Sequence, residues 1–167
     1  MSEPAELSIR PARTAELAEI GELTVAAHQA DGFAPVGHQY AAHLADTVSR
    51  HRDAELLVAA DHADRVVGTV TICRPGTPFA QVAAPDELEF RMLAVHPDAR
   101  QRGTARALVT AVLDRARTEG YRGVALSSMD RMHSAHRLYQ RFGFTRAPER
   151  DWRPTERALL WVFVLNL

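Results

Sequence analysis

The chain has one cysteine, no lysine and no apolar run long enough to cross a bilayer, and each of these absences narrows its possible functions. The single cysteine, Cys73, cannot form an internal disulfide, and its strand-like surroundings predict a small buried residue rather than a reactive thiol. A membrane-spanning helix needs about 20 apolar residues, and no segment comes near that length. The formal net charge is -1, so nothing in the overall charge favours nucleic acid or an anionic membrane as a partner.

The basic residues number 20 and are all arginine. Together with the alanine richness, this bias is typical of coding in a GC-rich bacterial genome. Residues 1–6 are acidic and show no basic segment followed by an apolar one, so we expect no secretory signal and a soluble cytoplasmic protein. The length of 167 residues predicts one domain with a single core.

Short alternating or apolar segments, separated by glycine and proline, predict a mixed α/β protein. The predicted strands cover about residues 7–10, 55–60, 65–74, 88–95, 123–128, 144–147 and 158–165. The first predicted helix follows Thr14 and ends before Gly32 and Pro35. Three further helices are predicted, over about residues 39–49, from about residue 105 towards Gly120, and over about residues 132–141. Residues 75–86 hold three prolines and a glycine, which predicts a surface loop.

The segment from Glu87 to Ala116 joins a strand, a loop and a helix in immediate succession. After the strand come a His-Pro-Asp turn and the sequence Arg-Gln-Arg-Gly-Thr-Ala at residues 100–105. The first amides of a helix have no intrahelical partner and carry partial positive charge, so an anion is favoured there. Gly103 and the small Ala105 would let a polyanion approach the backbone. We interpret this segment as a pyrophosphate cradle; a helix start with solvated arginines is the alternative.

The spacing Arg-x-x-Gly-x-Ala at Arg100, Gly103 and Ala105 resembles the acyl-CoA-binding motif of the GNAT superfamily of N-acetyltransferases. The order of predicted elements from about Leu7 to Leu167 also resembles that family. The resemblance implies one N-acetyltransferase domain over residues 1–167, α/β (α+β), with a mixed, mostly antiparallel central sheet and about four flanking helices. The residues that it implies for binding CoA or its acyl group are Leu93, Val95, Arg100, Gln101, Arg102, Gly103, Thr104 and Ala105.

A second motif lies in the last predicted helix, where Ala135, Leu138, Tyr139 and Phe142 share one face. Packing alone accounts for a tyrosine at such a position. The segment also resembles the Ala-x-x-Leu-Tyr-x-x-x-Gly-Phe helix of GNAT enzymes, which implies that Tyr139 protonates the departing thiolate as general acid. Met132 departs from the family pattern, in which many members carry an asparagine that reaches the CoA arm.

Glu89 lies six residues before Val95 on the central strand, and strict alternation would put both on one face with Leu93. Some GNAT members carry at this position a glutamate that deprotonates the amine. An amine with a pKa of about 10 is mostly protonated at neutral pH and must lose a proton before it attacks. A carboxylate paired with Arg91 or another arginine explains Glu89 equally well, so both interpretations remain open.

These features together predict transfer of the acetyl group of acetyl-CoA to a primary amine, on a small molecule or a peptide, by direct attack in a ternary complex. We expect no metal, no nucleic acid and no membrane partner; dimers are common in the family. The alternatives are a non-catalytic acyl-CoA-binding or regulatory module and a transferase of a longer acyl group. The acceptor is expected near residues 29–39 and 148–155, where acidic side chains such as Asp31 and Asp151 either attract an amine or are merely solvated.

Overall fold

The computed structural model describes residues 6–33 and 39–167 of the chain. The predicted helix break at Pro35 lies outside these residues. The strands are β1 Ser8–Pro11, β2 Glu55–Ala60, β3 Val66–Cys73, β4 Glu87–Val95, β5 Gly123–Met129, β6 Thr145–Arg146, β7 Trp152–Thr155 and β8 Ala158–Asn166. The helices are α1 Leu17–Ala30, α2 Gln39–Ala45, α3 Thr47–Asp53, α4 Thr104–Thr118 and α5 His133–Arg141.

The strands follow the order β1-β2-β3-β4-β5-β8-β6, and β7 also pairs with β8. The β4–β5 pair is parallel, whereas the pairs β1–β2, β2–β3, β5–β8, β6–β8 and β7–β8 are antiparallel. The prediction of a mixed, mostly antiparallel sheet is therefore confirmed. The described residues form five α-helices rather than about four, and none of these helices is long and apolar enough to cross a membrane.

The extra helix arises because the segment predicted as one helix over residues 39–49 is divided at Asp46. The Asp46 carboxylate accepts a hydrogen bond from the amide of Ser49 at 3.1 Å, which caps the start of α3. The end of α2 is satisfied by Arg50, which donates to the carbonyls of His43 and Leu44 at 3.1 and 2.8 Å. Because both helix ends have side-chain partners, two short helices replace the single predicted one.

The described residues fall into two compact units. The first contains the chain up to Ile72 together with Met92–Val112. Its apolar cluster joins one face of α1 to three strands, and its members are Ile20, Leu23, Ala27, Val58, Val66 and Ala94. This packing holds α1 against the strands of its own unit.

The second unit contains Cys73–Arg91 and Leu113–Leu167. Its core includes an aromatic cluster in which Tyr139 lies 5.8 Å from Phe90, 6.0 Å from Phe144 and 6.0 Å from Phe163, measured between ring centroids. Cys73 is completely buried, as predicted. Residues 74–86 contain no helix or strand, which confirms the predicted loop.

Strand β4 carries a left-handed residue, Met92, with φ of 55°. A left-handed residue inside a strand interrupts the pleat, and the burial of β4 does not alternate along its length. The strict alternation predicted from residue 88 to residue 95 is therefore wrong. The registered parallel pairing with β5 covers Glu87–Glu89, on the N-terminal side of Met92.

Candidate active site

The loop between β4 and α4 has a backbone shaped to receive an anion. A short 3₁₀ turn at Pro97–Ala99 follows the strand, and two left-handed residues come next, Gln101 with φ of 63° and Gly103 with φ of 78°. Alternation of right- and left-handed residues turns successive N–H groups towards one concave surface. The loop then passes directly into the first turn of α4, where the helix dipole adds partial positive charge.

The amides of residues 101–106 make no hydrogen bond to any part of the chain that the structure describes. The next amide, that of Ala107, donates to the Gly103 carbonyl at 2.9 Å. The hydroxyl of Thr104 is also buried without a partner among the described residues. Apart from Gly103 and its two chain neighbours, no heavy atom of the described residues lies within 4 Å of the place where a Cβ on Gly103 would stand. Unbonded donors beside open space fit the pyrophosphate group that the sequence predicted here.

Thr104 is fixed by a close approach between α4 and β3. A Cβ added to Gly68 would stand 2.8 Å from Thr104 Cγ2, which is too close for a real contact, and 3.1 Å from Leu108 Cδ1, which is an unusually tight one. Gly68 therefore allows the first turn of α4 to lie against β3. A single glycine inside a β-branched strand signals such an approach, and sequence analysis overlooked it.

Arg100 begins the cradle but is bonded to α1. Its guanidinium donates to Asp31 through Nη1 at 2.6 Å and Nη2 at 3.1 Å, and Nη2 also donates to the Ala27 carbonyl at 3.1 Å. Arg102 and Arg106 are exposed. Arg100, one of the residues implied for binding CoA, thus already has an anionic partner within the chain.

Tyr139, the predicted acid, is only 5% exposed within the aromatic cluster of the second unit. Burial raises the pKa of its phenol, so the hydroxyl keeps its proton at neutral pH. That hydroxyl makes no hydrogen bond to the described residues. At the start of the same helix, the sulfur of Met132 accepts a bond from the hydroxyl of Ser128 at 3.4 Å.

Glu89, the predicted base, is completely buried, and its two carboxylate oxygens differ in their hydrogen bonding. Oε1 accepts hydrogen bonds from the amides of Gln81, Val82 and Ala83 at 2.9, 2.8 and 3.0 Å. Oε2 has no partner among the described residues. Burial raises the pKa of Glu89, against the opposing effect of the three amides. Arg91 donates to the Phe79 carbonyl at 3.1 Å and forms no ion pair with Glu89 in the described chain.

The two acidic residues expected near the acceptor, Asp31 and Asp151, are paired with arginine, and so is Glu87 at the start of β4. Asp31 binds Arg100 at 2.6 Å, Glu87 binds Arg150 at 2.7 Å and Asp151 binds Arg146 at 2.7 Å. Their charges are therefore compensated within the protein. Within residues 6–33 and 39–167, no group of three or more His, Cys, Asp or Glu side chains could hold a metal ion.

The predicted site residues divide between the two units. The first unit holds the cradle, residues 100–105, and the half-buried Leu93 and Val95 of β4. The second holds Glu89 and Tyr139, and Tyr139 contacts Phe90, the neighbour of Glu89 in sequence. Asp31 was not predicted as a partner of the cradle, because nothing local to either segment signals a contact across 69 residues.

Comparison with protein families gives a match to the acetyltransferase (GNAT) family over residues 18–144. Two curated relatives are mycothiol acetyltransferases. The one from Mycolicibacterium gilvum is 40% identical over 98 residues, which cover 57% of this chain and 28% of that protein. The one from Mycobacterium avium is 36% identical over 98 residues, covering 59% and 28%. The chain thus spans little more than a quarter of these relatives.

Solved structures show the same fold at low sequence identity. A GNAT-family acetyltransferase from Staphylococcus aureus superposes with a TM-score of 0.74 at 14% identity, covering 97% of this chain and 99% of the other. An acetyltransferase from Salmonella typhimurium, solved with its cofactor acetyl-CoA, gives 0.68 at 21% identity, covering 98% and 95%.

Proposed function

The chain belongs to the acetyltransferase (GNAT) family, and from that membership we propose that it transfers the acetyl group of acetyl-CoA to a primary amine in a ternary complex. The observation that carries the proposal is the run of unbonded amides at residues 101–106, beside the buried hydroxyl of Thr104. These donors are suited to the pyrophosphate of CoA, which is a large and strongly accepting anion.

The cradle residues would bind CoA mainly through their backbone. The amides of Gln101, Arg102, Gly103, Thr104 and Ala105 would donate to pyrophosphate oxygens, and the exposed guanidinium of Arg102 adds charge. Leu93 and Val95 would lie along the acyl arm, with strand amides near Leu93 polarising the carbonyl. Bound acetyl-CoA supplies an activated thioester, so the protein itself needs no covalent nucleophile. The only cysteine, Cys73, is completely buried.

Tyr139 is proposed as the general acid. As the amine attacks, a C–N bond forms, the C–S bond breaks and negative charge develops on sulfur. A phenol that burial keeps protonated can give its proton to this thiolate. Its packing against Phe90 and Phe144 fixes the ring in one orientation, which favours a directed proton transfer.

Glu89 is proposed as the base that receives the amine proton, directly or through water. Its Oε2 is the unoccupied oxygen, and the raised pKa of the carboxyl strengthens it as a base. The alternative role for the same carboxylate is structural, since Oε1 already holds residues 81–83. The acceptor is proposed only as a small-molecule or peptide amine.

We also propose that residues 1–167 act as one domain. The support is that β4 and α4 each begin in one compact unit and end in the other, so neither unit has a complete set of elements by itself.

Calorimetric titration of CoA and acetyl-CoA into the wild type and a Gly103→Glu variant tests the binding proposal. The glutamate would strain a residue with φ of 78° and place a carboxylate among the cradle amides. We expect micromolar binding by the wild type and none by the variant. A wild type that binds neither ligand would contradict the proposal.

Tyr139→Phe tests catalysis, because it keeps the packing and removes the proton. With acetyl-CoA and a panel of amines, we expect kcat to fall roughly 100-fold or more while the Kd for CoA stays unchanged. Unchanged kcat would remove Tyr139 from the mechanism. A wild type that binds CoA but acetylates no amine would instead favour the non-catalytic module.

A further inference from the structure

Arg100 occupies the first position of the cradle, yet all its described hydrogen bonds run to α1. Nη1 and Nη2 bind the two oxygens of Asp31 at 2.6 and 3.1 Å, and Nη2 binds the Ala27 carbonyl at 3.1 Å. A planar guanidinium bound by a carboxylate in this two-point manner is held in one orientation.

The guanidinium of Arg100 stabilises the C-terminus of α1. Asp31 is the residue that caps the C-terminus of α1, where the helix dipole carries partial negative charge. A carboxylate at that end is unfavourable alone, and the last carbonyls of a helix lack intrahelical partners. Arg100 offsets the carboxylate and bonds a carbonyl of the last turn in the same contact. These contacts occupy three of the five N–H groups of the guanidinium, including both of those on Nη2.

The same contact fixes the entrance to the cradle. Arg100 directly precedes Gln101, the first of the two left-handed residues, and Ala99 before it is buried. The far end is fixed by Thr104, which is 2% exposed and lies against Gly68. The cradle is therefore anchored at both ends while its amides stay free. Donors held in place before a ligand arrives lose less entropy on binding.

We propose that Arg100 is a positioning residue, which holds the cradle amides through Asp31 and Ala27 and does not contact the phosphates of CoA. Arg102, two residues further on and exposed, supplies the cationic contact. This inference rests on the proposed function, since it concerns how the same loop binds CoA.

Lysine substitutions separate the two roles. Lysine keeps the charge and binds phosphate well as a point charge, but it cannot reproduce the two-point bond to a carboxylate. We expect Arg100→Lys to raise the Kd and KM for acetyl-CoA roughly tenfold with kcat unchanged. The matched control Arg52→Lys breaks a two-point bond to Asp53 in α3, outside the cradle, and should bind within about twofold of wild type. If Arg100→Lys binds like wild type, Arg100 is a phosphate ligand and the inference fails.

Asp31→Asn gives an independent test by the sign of its effect. If Arg100 is a positioning residue, releasing it loosens the cradle and weakens CoA binding. If Arg100 is a phosphate ligand restrained by Asp31, releasing it strengthens binding, which would overturn the inference. Urea unfolding of each variant checks that it folds. Wild-type binding of CoA in the same titrations is the separate test of the proposed function, so failure of one is distinguishable from failure of the other.

Discussion

Two loops of this chain contain runs of consecutive backbone amides, and the two runs differ in whether the chain provides a hydrogen-bond acceptor. At residues 81–83 all three amides donate to one oxygen of Glu89, at distances between 2.8 and 3.0 Å. At residues 101–106 no amide has a described partner. Clustered donors need an acceptor. At residues 81–83 the chain supplies the acceptor itself, whereas the amides of residues 101–106 remain open to the external anion that we propose.

The two loops are also held in place differently. Residues 79–83 are bonded along their length, because Arg91 binds the Phe79 carbonyl and Arg150 binds the Val82 carbonyl in addition to the Glu89 contacts. The cradle is anchored by the side-chain contacts of Arg100 and Thr104 and by the bond from the Ala107 amide to the Gly103 carbonyl. An arrangement that fixes the ends and leaves the middle free combines rigidity with open donors, which a binding site requires.

The largest effect should come from removing the internal anion. Glu89→Ala leaves three amides without their acceptor and opens a cavity, so we expect the free energy of unfolding to fall by roughly 3 kcal/mol. Urea unfolding measures this loss. Glu89→Gln keeps an oxygen for the same amides and should lose clearly less. If the alanine and glutamine variants are equally stable, the amides of 81–83 do not depend on Oε1.

An external anion should stabilise the other loop. Free CoA at 100 times its Kd should raise the free energy of unfolding by about 2.7 kcal/mol, because it binds the folded state alone. Thermal or urea unfolding with and without CoA measures the gain. Gly103→Glu provides the control and should gain nothing. If CoA raised the free energy of unfolding of Gly103→Glu equally, CoA would bind outside the cradle, and the proposed difference between the two loops would be wrong.

The smallest effect concerns pH. Since burial raises the pKa of Glu89, the folded state binds more protons than the unfolded state between the ordinary glutamate pKa and the raised one. The contribution of Glu89 to stability therefore falls as pH rises through that window and returns as pH falls. We expect the stability of wild type relative to Glu89→Gln to drop as pH rises from the ordinary glutamate pKa towards neutral pH. The opposite slope would show that the three amides outweigh burial.

Much of the fold could be predicted because its signals are local. Strand β2 was predicted with the observed bounds, Glu55–Ala60, since its apolar run is flanked by clear turn signals. The position of the loop before α4 could be predicted because Gly103 and the helix start are neighbours in sequence, whereas its role in binding CoA stays a prediction. The break at Asp46 was missed, since an aspartate flanked by helix-compatible residues gives only a weak capping signal.

The partners of the candidate site residues could not be predicted, because they come from distant segments. Arg100 meets Asp31 across 69 residues, and the carboxylate of Glu89 meets the amides of an irregular loop. The sequence therefore indicated which residue types lie around β4, but it did not show which of their donor and acceptor atoms remain available to a ligand. The catalytic roles of Glu89 and Tyr139 stay predictions that the variants above can test.

Met92 should be unusually tolerant of small, flexible replacements for a residue in a central strand. With φ of 55°, it is in a conformation that glycine adopts freely and β-branched residues avoid. In a saturation library, glycine or asparagine at position 92 should therefore survive where valine and isoleucine fail, the reverse of the usual strand preference. Designers who stabilise this protein by raising strand propensity throughout β4 would do harm at this one position.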